Sequence, residues 1–292
     1  MSKIIQVAPS WPGLSRLSYM MIFGDSYSSI GFELVGNASD YKSTAQDPLG
    51  LPFPGLTWNE EGLANWVGHL LTKYVPRPSF IAGKDATQDP EYLKNPLLVY
   101  NYAIGGDNIT GVQRQINRFF LSVGQKPAWA PWTPCNSLFI TWVGINDCRV
   151  VFSHTREHKE SMTRLFKLQE ELYGAGARNF LFVDVPPIDR SPAVPKGRKS
   201  TVYQDYNAEL ETSAEEFAKQ HPETTVLLHS SAATFNRFLD SPEEHGFSQS
   251  DCRKPGGAIW YDYLHPTSKV HDYVARDLGR FLETVEEGTD LS

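Results

Sequence analysis

The chain has 292 residues, a formal net charge of −7 and 40% hydrophobic residues. This composition is typical of a folded globular protein, and its acidic balance argues against nucleic acid as a partner. No apolar run approaches the roughly 18 residues of a membrane helix, and the N-terminal residues do not form a secretory signal. We therefore expect no membrane span, and either an intracellular protein or a mature secreted form.

Five short apolar segments, each bounded by turn residues, are predicted to be strands. They cover residues 17–23, 97–102, 137–143, 179–185 and 225–229. None shows the clean alternation of a half-exposed strand, as expected of parallel strands that are covered on both faces.

Apolar residues at helical spacing lie between and after these strands. They predict helices from about residue 60 to 74 and over 112–123, 162–173, 206–217 and 270–285. Strands that alternate with helices indicate a three-layer α/β/α architecture around a mostly parallel sheet. No repeat or linker marks a boundary, so we expect one domain over 1–292 with its core at about 17–285.

No cofactor or metal is predicted from the sequence. The three cysteines, Cys135, Cys148 and Cys252, lack the CxxC spacing of a zinc site. Because their number is odd, at most one disulfide is possible within the chain.

A Gly-Asp-Ser turn that ends in Ser26 directly follows the first predicted strand. Ligands of open α/β sheets bind beyond the carboxyl ends of the strands, so this serine would lie at the rim of a site. The alternative is an ordinary turn, since Gly, Asp and Ser are common turn residues.

A second candidate lies near the other end of the chain, where Asp262 and His265 are three positions apart. In a tight turn, the carboxylate can hold one imidazole nitrogen and leave the other free to act as a base. Serine is a weak nucleophile until such a base accepts its proton, so this turn and Ser26 complement each other. Alternatively, a histidine before proline is a loop or helix-capping residue.

Two further turns follow the second and third predicted strands. One contains Gly105 and Gly106, and the other contains Asn146. Ester hydrolysis develops an oxyanion, and glycine N–H groups or an asparagine amide can donate hydrogen bonds to it. Taken singly, both segments are also typical strand-to-helix turns.

Together the four segments resemble the conserved blocks of the GDSL, or SGNH, hydrolase superfamily. The matching residues follow the family's order, and the resemblance extends from about residue 17 to residue 282. They are Ser26, Gly106, Asn146, Asp262 and His265. The resemblance implies a serine carboxylic ester hydrolase in which Ser26 is the nucleophile and His265 the general base, oriented by Asp262.

The same resemblance implies an oxyanion hole and a fold. The hole would consist of the backbone N–H groups of Ser26 and Gly106 and the side chain of Asn146, with Gly105 as the alternative to Gly106. The implied fold is flavodoxin-like, with a five-stranded parallel sheet in the order 2-1-3-4-5.

Two stretches, 58–70 and 259–267, are similar to fungal acetylesterases of carbohydrate esterase family 16. This similarity implies removal of acetyl groups from sugars or other short-chain esters, with a small-molecule or short oligosaccharide ester as the partner. Residues 27–31 depart from that subgroup, which usually carries an acidic residue before the glycine.

Several side chains in the loops and beside the nucleophile are candidate substrate contacts. The tryptophans could stack on sugar rings, although aromatic residues more often pack in cores, and the carboxylate could equally form a local turn. The candidates are Asp25, Trp58, Trp129, Trp132 and Trp260.

Two other functions remain open at this point. One is a lipase, a lactone or thioester hydrolase, or an acyltransferase that acts on a longer-chain metabolite. The other is a catalytically silent member that binds carbohydrate or a partner protein through the same loops.

Overall fold

The computed structural model describes residues 1–32, 42–150, 155–197 and 200–289, and a six-stranded sheet forms its centre. The strands are β1 (Lys3–Gln6), β2 (Tyr19–Gly24), β3 (Leu98–Asn101), β4 (Ser137–Trp142), β5 (Asn179–Val183) and β6 (Thr225–His229). Their order across the sheet is β1-β6-β5-β4-β2-β3. Strands β2 to β6 are parallel and correspond to the five predicted segments in the predicted order.

The prediction of five all-parallel strands is wrong at one edge, where β1 pairs with β6 in the antiparallel direction. β1 has only four residues, and none of them is fully buried. The apolar run that marks an interior strand is therefore missing from its sequence, which explains why it was not predicted.

The helices cover both faces of the sheet. They are α1 (Trp66–His69), which continues as a π-helical turn (Leu70–Tyr74), α2 (Pro90–Lys94), α3 (Ile109–Phe120), α4 (Ile145–Val150), α5 (Thr155–Gly174), α6 (Val202–Gln220), α7 (Ser231–Asp240) and α8 (Ser268–Glu283). Contacts join α8 to α1 and α7, and separately join α5 to α3 and α6. These two groups of helices enclose the sheet as two outer layers.

The first helix begins later than predicted from residue 60. Asn65 is its N-cap, and the Asn65 side chain accepts a hydrogen bond from the backbone N–H of Val67. Such a cap satisfies an N–H group that has no partner within the helix, and it fixes where the helix begins. Residues 57–64 are therefore free to form a loop, which carries Trp58.

Three further observations bear on the predictions from composition. Within the described ranges, no helix is both long and apolar enough to cross a membrane. The same residues contain no group of three or more His, Cys, Asp or Glu side chains placed to bind a metal ion. All three cysteines are unpaired.

Candidate active site

The turn after β2 holds Ser26 at the carboxyl end of this strand, which lies between β3 and β4 in the sheet. The backbone carbonyl of Asp25 accepts hydrogen bonds from the N–H groups of Ser28 and Ser29, at 3.1 and 3.0 Å. The Asp25 carboxylate accepts another from the N–H of Tyr27, at 3.0 Å. These bonds form a tight turn in which Ser26 is only 6% exposed.

Gly24 is required immediately before this turn because the neighbouring strand approaches it closely. A Cβ atom at position 24 would lie 2.2 Å from the backbone carbonyl oxygen of Trp142 in β4. No side chain fits at that distance, so the glycine permits the close approach of β2 to β4.

Ser26, His265 and Asp262 lie in hydrogen-bonding contact. The Ser26 Oγ atom is 2.9 Å from His265 Nε2, and His265 Nδ1 is 2.8 Å from Asp262 Oδ2. The other carboxylate oxygen of Asp262 accepts hydrogen bonds from the N–H groups of Leu264 and His265, both at 2.7 Å. The structure therefore brings together the serine and the turn that the sequence separates by 239 positions.

The Asp262 carboxyl is held in its charged form. Burial raises its pKa, but the hydrogen bonds from His265 and Leu264 outweigh this effect and keep the pKa below its ordinary value. An ionised Asp262 accepts the Nδ1–H of the imidazole, which leaves Nε2 able to accept a proton from Ser26.

Gly106 presents its backbone towards open space. Its φ is +80°, which L-residues with a side chain rarely adopt, and a Cβ atom there would have no neighbour within 4 Å. At Gly105, by contrast, a Cβ atom would lie 2.2 Å from the Trp58 ring. In the described part of the chain, the N–H groups of Ser26 and Gly106 donate to no protein acceptor.

Asn146 lies in the first turn of α4, beyond the end of β4, and its Nδ2 donates to the backbone carbonyl of Asp107 at 2.8 Å. This bond ties the amide to the residue after Gly106 and leaves one N–H of Nδ2 for another acceptor. Since β2 lies between β3 and β4 and the three strands are parallel, the turns with Ser26, Gly106 and Asn146 all lie together at the carboxyl ends of these strands.

Gln115 was not identified from the sequence, but it links two of these turns. Its side-chain amide accepts from the Gly24 N–H at 2.9 Å and donates to the Gly24 carbonyl at 2.7 Å. It also donates to the Asp107 carboxylate at 2.9 Å. A signal was present, because Gln115 is a polar residue inside the apolar stripe that includes Val112 and Ile116.

Two carboxyl groups beside this network are buried and have raised pKa values. Burial, together with the negative charges of Asp147 and Asp107, raises the pKa of Asp25 to about 7, although the bond from the Tyr27 N–H opposes the rise. Burial also raises the pKa of Asp147 to about 6. Asp25 has no solvent exposure, and its Oδ2 atom has no hydrogen-bond partner among the residues that the structure describes.

Of the predicted substrate contacts, Trp58 lies at the site. Its ring centroid is 5.1 Å from that of His265, with 32° between the ring planes, and the residue is 45% exposed. Asp25 is fully buried, so substrate cannot reach it, and it forms the local turn instead. The prediction that Asp25 contacts substrate is therefore corrected.

The other three tryptophans are also corrected as substrate contacts. Trp132 and Trp260 are buried, and their indole N–H groups donate to the carbonyls of Val123 and Cys252. Trp129 is partly buried against Tyr100. Trp129 and Trp132 lie in the segment that leads into β4. They are therefore at the amino ends of the parallel strands, whereas Ser26 is at the carboxyl ends.

Comparison with known proteins identifies the family of the chain. A family model described as GDSL-like lipase/acylhydrolase matches residues 20–278. An acetylesterase from Thermothelomyces thermophilus is 32% identical over 283 residues, which cover 88% of this chain and 86% of the relative. The thermolabile hemolysin of Vibrio parahaemolyticus is 25% identical over 305 residues, which cover 90% of this chain and 63% of the hemolysin.

Solved structures share the fold at low sequence identity. A GDSL-like lipase from Parabacteroides merdae aligns with a TM-score of 0.56 and 11% identity, over 94% of this chain and 99% of its own. The acetyl xylan esterase AlAXEase aligns with a TM-score of 0.50 and 12% identity, over 90% of this chain and 98% of its own. With the family match over residues 20–278, these findings lead to one conclusion: the chain belongs to the GDSL esterase family of carboxylic ester hydrolases.

Proposed function

We propose that this esterase removes short acyl groups, and acetyl groups of sugars in particular, with Ser26 as its nucleophile. His265 is the general base, and Asp262 orients it. The observation that carries the proposal is the 2.9 Å contact between Ser26 Oγ and His265 Nε2, with the 2.8 Å contact between His265 and Asp262 behind it. A hydroxyl within hydrogen-bond reach of an oriented imidazole is the geometry that an activated serine requires.

In the first half-reaction, His265 Nε2 accepts the Ser26 proton while Oγ forms a bond to the ester carbonyl carbon. The carbonyl oxygen gains the negative charge and accepts hydrogen bonds from the N–H groups of Ser26 and Gly106 and from the Asn146 amide. Donors that are fixed in advance stabilise this charge without having to reorganise as it appears. The C–O bond to the alcohol then breaks, and His265 gives its proton to the leaving oxygen.

In the second half-reaction, water attacks the acyl-enzyme. His265 accepts a proton from the water while the water oxygen forms a bond to the acyl carbon. The same three donors stabilise the oxyanion. The bond to Ser26 Oγ breaks, His265 returns the proton to Oγ, and the free acid leaves. The enzyme is then restored for another cycle.

The preference for acetyl esters is supported by the similarity to the fungal acetylesterase, at 32% identity over most of both chains. We propose that this chain shares that acyl preference. The sugar as the natural alcohol is supported by the half-exposed Trp58 ring beside His265.

The nucleophile is tested by Ser26→Ala, with hydrolysis of p-nitrophenyl acetate and labelling by a fluorophosphonate probe as readouts. We expect turnover to fall about a thousandfold or more and labelling to disappear. Ser15→Ala is the matched control, because Ser15 is exposed and outside the site, and it should retain both. Wild-type turnover by Ser26→Ala would refute the assignment.

The acyl preference is tested with p-nitrophenyl acetate, butyrate and octanoate. We expect kcat/KM to be highest for acetate. An optimum at octanoate would instead favour a lipase, a lactone or thioester hydrolase, or an acyltransferase for longer chains. Adding an alcohol acceptor to the assay separates transfer from hydrolysis, because transfer forms a new ester in place of the free acid.

A further inference from the structure

We propose that Trp58 is the platform that receives the sugar on the alcohol side of the scissile ester, and this role rests on the proposed function. The indole would stack on the apolar face of a sugar ring, whose acetylated oxygen then lies beside His265. Trp58 is thus a specificity-determining residue that selects the alcohol rather than the acyl group.

Trp58 contacts two parts of the site at once. Its ring lies 5.1 Å from the His265 ring and is tilted by only 32°. Its six-membered ring also occupies the space next to Gly105, where a Cβ atom would lie 2.2 Å away. The indole therefore spans the distance between the general base and the turn of the oxyanion hole.

The position of Trp58 favours contact with the alcohol part of the ester over contact with the acyl part. His265 Nε2 must deliver its proton to the leaving oxygen, so the group attached to that oxygen has to lie next to the imidazole. Among the described residues, the Trp58 ring is exposed and adjoins the imidazole. A sugar acetate bound for reaction would therefore bring its sugar ring against the indole.

The exposure of Trp58 distinguishes it from the other tryptophans. All seven lie within the described residues, and Trp58 alone is exposed, at 45%. Burying the rest of so large an apolar ring is favourable, and a ligand with an apolar face can do so. Sugar rings have such a face, formed by their C–H groups, and their hydroxyl groups remain in water.

The loop that carries Trp58 is fixed before a substrate binds. Asn59 is buried, and its side chain donates to the backbone carbonyl of Leu63 at 3.0 Å. Glu60 accepts a hydrogen bond from the N–H of Ser268 at 2.7 Å, in the first turn of α8. A platform held in this way loses little conformational entropy when a ligand stacks on it.

The experiment compares two acetate esters that share the acyl group and differ in the alcohol. These are the acetylated methyl β-xyloside and ethyl acetate, and the variants are Trp58→Ala, Trp58→Phe and the control Leu63→Ala. We expect Trp58→Ala to lower kcat/KM for the xyloside about tenfold or more while ethyl acetate changes less than about twofold. Trp58→Phe should lose less than Trp58→Ala. Leu63 is exposed on the same loop, and its variant should behave like the wild type.

Each of the other outcomes would contradict either the role of Trp58 or the proposed function. Equal losses of kcat/KM for both esters would show that Trp58 acts through His265 and not on the sugar, and no loss would show that the sugar does not contact it. A wild-type enzyme that hydrolyses ethyl acetate but not the xyloside would overturn the platform and leave the role of Ser26 intact. A wild-type enzyme that hydrolyses neither ester and takes no fluorophosphonate label would overturn the proposed function itself.

Discussion

The hydroxyl of Tyr27 donates a 2.7 Å hydrogen bond to the backbone carbonyl of Leu264, and it thereby joins the residue after Ser26 to the residue before His265. Tyr27 is fully buried, and its ring packs edge-on against Trp142 at 5.6 Å. The packing fixes the ring, and the hydroxyl fixes the loop. Tyr27 is therefore placed to set the distance between the serine and the imidazole.

We expect Tyr27→Phe to lower kcat for p-nitrophenyl acetate about fivefold to tenfold, because it removes one hydrogen bond worth about 1 kcal/mol and keeps the ring. Steady-state kinetics would measure this, and KM should stay unchanged. Tyr273→Phe is the matched control, since Tyr273 donates a similar 2.8 Å bond to the carbonyl of His245 outside the site. Equal kcat values for the Tyr27 and Tyr273 variants would contradict the role of Tyr27.

Asn146→Ala should reduce kcat about a hundredfold or more, because in the proposed mechanism it removes one donor from the developing oxyanion. Single-turnover acylation with p-nitrophenyl acetate would locate the loss in the chemical step. The control is Asn117→Ala on α3, where the exposed Asn117 side chain accepts a hydrogen bond from Gln113 at 3.2 Å. A loss below threefold for Asn146→Ala would place the third donor elsewhere.

Gln115→Leu should lower the free energy of unfolding by on the order of 3 kcal/mol, because it removes the hydrogen-bond partner of the Gly24 N–H and of one Asp107 carboxylate oxygen. It also removes one of the two hydrogen bonds to the Gly24 carbonyl, which keeps the bond from the Ile104 N–H. Urea unfolding would measure the change. Gln113→Leu, two residues earlier on the same helix, should change it by less than about 0.5 kcal/mol. Similar losses in the two variants would mean that the Gln115 bridge contributes little.

Asp25→Asn tests the buried carboxyl through the pH dependence of stability. The ordinary pKa of 3.8 is raised to about 7 in the folded protein. Between these values the unfolded chain ionises while the folded protein keeps its proton, so this group makes stability fall as pH rises, with the full penalty above about pH 7. Asparagine has no charge and still offers an oxygen to the Tyr27 N–H.

The Asp25→Asn variant should therefore exceed the wild type in free energy of unfolding by about 2 kcal/mol or more at pH 8. At pH 5 the difference should be clearly smaller, since less of the penalty is present there. Urea unfolding at both pH values gives the comparison. A difference that is the same at pH 5 and pH 8 would show that ionisation of this carboxyl does not set the effect.

The sequence predicted the five parallel strands and the residues that meet at the site, because the chemistry of Ser26 and of the Asp262–His265 turn is local. It did not predict what surrounds them. Trp132 and Trp58 both appear in the sequence as tryptophans in long loops. Trp132, however, precedes the parallel strand β4 and so lies at the amino ends of the strands, away from Ser26. The Gln115 bridge depends on the distance between α3 and the end of β2, which apolar spacing along one helix does not determine.

The antiparallel edge strand has a consequence for handling the protein. Lys3 and Ile4 pair with Leu228 and Leu227 of β6, so β1 occupies the hydrogen-bonding groups on the outer side of that strand. Deleting residues 1–6 would uncover a buried, apolar strand whose free N–H and C=O groups can pair with another molecule. Such a truncation leaves Ser26 and His265 untouched, yet it would produce an enzyme prone to aggregation.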